Sequence, residues 1–166
     1  MAPRVLLAVF LPAFLVQAAC SSSDDSSSTG TDGGNGADDQ YAADRKLCVD
    51  TINQYRATIG VAALTEWSDG ESCADGQAKS DSTTGKAHGA FATCSESAQD
   101  ECPGWPGGDI AGSLKGCLQQ MWNEGPGDDY PTHGHYTNMS NKGYTQAACG
   151  FFVTPDGSLW AVQNFR

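Results

Sequence analysis

Seven cysteines behind an apolar leader constrain this 166-residue chain more than any other feature. Residues 1–19 carry one charge, Arg4, an apolar run from Val5 to Val16 and the small pair Ala18-Ala19, the pattern of an export signal. The run is too short to serve as a permanent membrane span. Cys20 follows at once, where a bacterial lipoprotein signal is acylated after cleavage, although Gln17 stands where an aliphatic residue is usual. With Cys20 set aside for lipid, Cys48, Cys73, Cys94, Cys102, Cys117 and Cys149 form an even set in an exported chain, and three disulfides are expected. Six cysteines allow 15 pairings, which sequence alone does not resolve. Proximity favours Cys94 with Cys102, and Cys117 on a helix is placed to reach Cys149 on a strand. No C-x-x-C pair argues for zinc held by thiolates, and a cysteine nucleophile would leave an odd thiol.

From residue 20 to residue 40 the chain is Ser, Gly, Asp and Thr without a large apolar side chain, a composition that cannot offset its ordering entropy. It reads as a flexible tether, and residues 41–166 are left to build one core of ordinary size. The net charge of −11 argues against nucleic acid as a partner and against electrostatic docking to anionic lipid, because the acidic excess opposes binding along a phosphate backbone.

Within 41–166, the apolar stripe Cys48, Ile52, Tyr55 and Ile59 predicts a first helix over Tyr41 to Ile59, ended by Gly60. Ser68-Asp69-Gly70-Glu71 has the form of a capping box and opens a second helix, with Cys73, Ala74, Gln77 and Ala78 turned to the core. Asp81 to Trp105 shows no period and reads as a long pinned loop. Asp109 caps a third helix whose stripe is Ile110, Leu114, Cys117, Leu118 and Met121, and Gly125-Pro126-Gly127 stops it. Ala147 to Val153 and Ser158 to Phe165 read as two strands around the turn Thr154-Pro155-Asp156-Gly157. Both faces of the second strand are partly apolar, as a sheet covered on both sides requires.

The chain holds three histidines, His88, His133 and His135. Read as an extended segment, Thr132 to Met139 would point His133 and His135 the same way. Imidazole suits both metal ligation and proton transfer near neutral pH. Neither His-Glu-x-x-His nor Gly-x-Ser-x-Gly occurs, so the residues alone argue for no standard protease or hydrolase.

Asn53-Gln54-Tyr55-Arg56, Ala87-His88, Ser95-Glu96-Ser97-Ala98, Gly134-His135-Tyr136-Thr137-Asn138, Ala148-Cys149-Gly150 and Val162-Gln163-Asn164-Phe165 together resemble the motifs of the CAP superfamily, the cysteine-rich secretory, antigen 5 and pathogenesis-related (SCP) domain. Asn138 stands for the usual glutamine of the most specific motif, and Ser95 and Ser97 replace glycine and asparagine around Glu96. The resemblance implies an α/β fold, a three-layer α-β-α sandwich, with a cleft lined by His88, His135, Glu96 and Glu124. It implies a divalent metal, often zinc, on His88 and His135, with Glu96 and Glu124 orienting them or binding metal-bound water, and with Tyr136 and Asn138 nearby. Glu101 is the runner-up to Glu96, and His133 is either a third ligand or, the favoured reading, a solvent-facing turn residue. The expected protein is an exported, envelope-anchored or secreted binding module for a small apolar ligand or an extracytoplasmic protein. The alternative is a metal-dependent, protease-like hydrolase using a zinc-bound water in the same cleft, with Glu96 and Glu124 as the candidate catalytic acids.

Overall fold

The computed structural model describes residues 39–166. The expected signal, the tether up to residue 38 and Cys20 lie outside the described residues. Eight elements follow in order: helix α1 (Ala42–Thr58), strand β1 (Thr65–Glu66), α2 (Ser68–Thr84), β2 (Ala98–Pro106), α3 (Ile110–Trp122), α4 (Tyr130–Ser140), β3 (Gln146–Val153) and β4 (Ser158–Phe165). The four strands form one sheet in the order β1-β3-β4-β2, with β1 parallel to β3 and the other pairings antiparallel. This is the expected α-β-α arrangement. Ala147, Cys149 and Phe151 on β3, with Leu159, Ala161 and Phe165 on β4, face a core shared with Ile52, Leu114, Leu118 and Met121 of α1 and α3. The alternate residues Gly150, Phe152 and Val162 face α2, where Ala74 and Ala78 are fully buried. The small residues of α2 are explained there: a Cβ on Gly150 would run into the Ala74 carbonyl carbon, so helix and strand meet backbone to backbone.

The α3 stripe is buried as the 3.6-residue period requires, and the Asp109 side chain accepts from the Gly112 N–H at 2.9 Å. Two of the motif residues in α1 turn out to be structural. Asn53 clamps the Leu64 backbone, accepting from its N–H at 2.7 Å and donating to its carbonyl at 2.9 Å. Arg56, 1 % exposed, donates to the carbonyls of Met139 (2.8 Å) and Asn141 (2.9 Å) at the end of α4. A cation there answers the unpaired carbonyls of a helix C-terminus.

Five expectations are corrected. Thr132 to Met139 is helical, part of α4; Pro131 in its first turn and the burial of Asn138 and Met139 on one side favour a helix over an extended strand. Ser68 is the first helical residue, Trp67 holds the cap position and no side-chain capping bond forms. The stretch from Asp81 to Trp105 is not one loop: α2 runs to Thr84, ends at Gly85 in the left-handed region (φ 65°), and β2 begins at Ala98. The disulfides are Cys48–Cys149, Cys73–Cys94 and Cys102–Cys117. Cys94 therefore does not meet Cys102, because Cys102 lies within β2 and points toward α3. Cys117 does not meet Cys149, because Cys149 lies on β3 beneath α1.

Candidate functional site

His88 sits in the segment between α2 and β2, which leaves ordinary backbone space three times: His88 (φ 58°), Ala92 (φ 70°) and Ser95 (φ 64°) are left-handed non-glycine residues. Buried acids hold this shape. Glu96, 7 % exposed, accepts from the N–H groups of Ala92 (2.6 Å) and Cys94 (2.9 Å) and from Gln77 Nε2 (2.6 Å). Glu101 on β2 accepts from the His88 N–H at 2.6 Å. The Cys73–Cys94 bridge ties the same segment to α2. Strain of this kind persists only where surrounding contacts over-determine it.

His135 comes from the middle of α4. Its Nδ1 lies 2.5 Å from Glu124 Oε1, and its backbone N–H donates to Glu124 Oε2 at 3.0 Å. The helix separates it from His133, since two residues along an α-helix turn the side chain by about 200°. His133 is neither a solvent-facing turn residue nor part of the cleft: its Nδ1 faces the carbonyls of Glu124 (2.8 Å) and Gly125 (3.0 Å), half-buried under the turn after α3. Gly127 makes room for that ring, which a Cβ at that position would overlap. Tyr136 packs on Trp122, ring centroids 4.6 Å apart, and does not line the cavity. Asn138 does, donating from Nδ2 to Asp100 Oδ1 at 2.7 Å.

The imidazoles of His88 and His135 meet, with centroids 6.3 Å apart and planes at 32°. They border a cavity of about 530 Å³, whose wall also carries Phe91, Gln99, Tyr130 and Asn138. Phe91 and Tyr130 are exposed at its mouth. A second hollow of about 280 Å³ brings His135 together with Glu101 and Glu124. Of the two acids expected in the cleft, Glu124 is at the site through His135. Glu96 is instead spent on the backbone of the strained segment, and Glu101, the runner-up, stands against His88.

Electrostatics single out Glu101. Its side chain is buried with Oε1 unpartnered, and burial, with Asp81 beside it, pushes its pKa up to about 7. Burial also raises Asp81, and it raises Asp100 well above the ordinary carboxylate range.

The site fits a divalent cation in one respect and strains in another. Each imidazole engages an acceptor through Nδ1, Gln99 Oε1 at 3.0 Å for His88 and Glu124 for His135, which leaves Nε2 free on both rings. That is the usual support of a metal-ligating histidine. Tetrahedral ligation by two nitrogens at about 2.0–2.1 Å wants centroids roughly 5 Å apart, so the rings would close by about 1 Å. Among the described residues no group of three or more His, Cys, Asp and Glu is arranged to hold a metal, so a cation here would have water completing its shell. Gln77, Gln99, Asn164 and Asp81, which surround His88 from beneath, were not singled out for the site from sequence. The alternation of β2, which puts Gln99 on the same face as Glu101, is the signal that would have found Gln99.

Fold and crosslinks define an α-β-α sandwich with a histidine-bearing cleft. The chain belongs to the cysteine-rich secretory protein (CAP) family, whose model matches residues 49–165. No curated protein sequence matches it significantly. Among solved structures it is similar to an outer surface protein from Borrelia burgdorferi, with TM-score 0.56 and 16% identity over 76% of this chain and 93% of that one. It is also similar to Na-ASP-1, with TM-score 0.55 and 12% identity over 82% of this chain and 43% of that one. The hookworm platelet inhibitor follows, with TM-score 0.51 and 12% identity over 75% and 69% of the two chains. At these identities the structural likeness speaks for the fold alone.

Proposed function

We propose that the chain is an extracytoplasmic binding domain that holds a divalent cation, zinc by the donor chemistry, between His88 and His135, and takes a small apolar ligand or a protein partner in the adjoining cavity. The observation that carries the metal reading is the convergence of two imidazoles whose Nδ1 atoms are both engaged. Three disulfides suit an oxidising compartment, and one solved relative is named as an outer surface protein. On this reading Cys20 is acylated and anchors the domain through its tether. Among the described residues, no helix is long and apolar enough to cross a membrane.

His88 and His135 would hold the cation, Glu124 would orient His135, and the exposed rings of Phe91 and Tyr130 would give the cavity its apolar rim. Bound there, the cation would act as a Lewis acid toward an oxygen of the ligand. Calorimetric titration of zinc tests the reading. The oxidised protein is expected to bind at micromolar affinity or tighter, at least roughly 8 kcal/mol, with binding lost in His88→Ala and in His135→Ala. Equal uptake by the variants and the parent would end the metal reading.

One observation favours the hydrolase alternative. Glu101, raised to about 7, has the pKa of a general base and stands against His88. Turnover of casein or an ester that disappears in Glu101→Gln would support that reading, and absence of turnover in the zinc-loaded parent would remove it.

A further inference from the structure

Beneath His88 lies a row of buried amides, Gln77 on α2, Gln99 on β2 and Asn164 on β4, the last two directly paired across the sheet. The direction of each amide follows from the groups at the far end of the row. The Ala90 carbonyl can only accept, and both oxygens of Glu96 already take main-chain N–H donors. Gln77 therefore presents its NH2 to them, at 3.0 Å and 2.6 Å, and turns Oε1 the other way. There Oε1 accepts from Asn164 Nδ2 at 2.7 Å and from Gln99 Nε2 at 3.1 Å. The second proton of Gln99 Nε2 goes to Asn164 Oδ1 at 3.2 Å. With its NH2 spent, Gln99 has only Oε1 to offer His88 Nδ1, 3.0 Å away. A carbonyl oxygen carries no proton, so the imidazole must donate.

We propose that Gln77, Gln99 and Asn164, anchored by Glu96, are positioning residues that lock neutral His88 in the Nδ1–H tautomer and so keep a bare Nε2 lone pair on the opposite ring edge. A neutral side chain free in water prefers the other tautomer, so the row does work that the solvent would undo. It also gives Glu96 a part in the site without touching the cleft: its carboxylate fixes the sense of a hydrogen-bonded row that ends on His88. The consequence for metal affinity rests on the binding reading above; the tautomer itself does not. Cross-strand pairing of Gln99 with Asn164 makes the arrangement a property of the sheet register, since a shift of one residue would remove Gln99 from this face.

The test is long-range 1H–15N correlation spectroscopy of the oxidised, metal-free full chain labelled at histidine, recorded above the range where imidazole is charged. His88 is expected to show a protonated Nδ1 and an unprotonated Nε2. Gln99→Met, which keeps the shape and removes the acceptor, is expected to return His88 to a mixture dominated by Nε2–H while leaving His133 and His135 unchanged. Gln77→Met, remote from the ring, is expected to do the same in part by freeing Gln99 to flip. An Nε2–H His88 in the parent protein overturns the proposal without recourse to any variant, and so does an unchanged His88 pattern in Gln99→Met. Zinc affinity measured on the same samples should fall about 10- to 100-fold in Gln99→Met. A parent that shows the Nδ1–H tautomer yet binds no zinc would strike the metal reading and leave the relay standing.

Discussion

At the scale of single residues, acids rather than histidines do most of the shaping. Glu96 gathers three donors, the N–H groups of Ala92 and Cys94 and the Gln77 amide, and removing it takes the acceptor from both main-chain N–H groups of a segment held in left-handed conformations. Glu96→Ala is expected to cost about 2–3 kcal/mol in urea denaturation, the range for losing charged hydrogen bonds while the Cys73–Cys94 bridge still restrains the segment. Asp100 works in the other direction. It is fully buried, with Oδ2 unpartnered, and burial raises its pKa far above the ordinary value. Between the unfolded and folded pKa values the unfolded chain releases a proton that the folded chain keeps, so stability falls as pH rises through that window. Asp81, Glu101 and Glu71, all raised and the last two to about 7, act in the same sense. Asp39, lowered by its bond to Arg45, opposes them only at acid pH, below its unfolded value. The melting temperature should therefore be higher at pH 5 than at pH 8, and Asp100→Asn should shrink that difference. A parent protein that melts higher at pH 8 would contradict this reading of the buried acids.

At the scale of elements, what a local period specifies was legible and what packing specifies was not. The stripe of α3 follows from its spacing, and the two closing strands follow from their apolar runs and from the turn between them, which carries its own proline and glycine. The histidines of α4 misled, since a gap of two residues matches a strand while Pro131 and the inward burial of Asn138 and Met139 decide for a helix. The disulfide partners were illegible because they join different elements of the sandwich: Cys48–Cys149 joins α1 to β3, Cys102–Cys117 joins β2 to α3, and Cys73–Cys94 joins α2 to the strained segment. Loop-closure entropy ranks them, and Cys48–Cys149, 101 residues apart, constrains the unfolded chain most. Replacing both of its cysteines by alanine should cost about 4–5 kcal/mol, against about 3 for Cys102–Cys117, as read from denaturation midpoints.

At the scale of the whole molecule, the sheet brings together what the sequence keeps far apart. β2 lies beside β4 at the sheet edge, so Gln99 and Glu101 stand under the segment bearing His88, and α4 lowers His135 onto the same hollow. Of the expected site, His88, His135 and Glu124 are brought together, and Asn138 lines the adjoining cavity. Glu96 and Glu101 exchange places because only the strand register tells which acid of the segment faces the ring. The central claim is that the two imidazoles share one cation. X-ray absorption at the zinc edge of the loaded protein tests it most directly. Two imidazole nitrogens at about 2.0–2.1 Å, with oxygen completing the shell, is the predicted result. A spectrum with a single imidazole, or one that His88→Ala leaves unchanged, would contradict it.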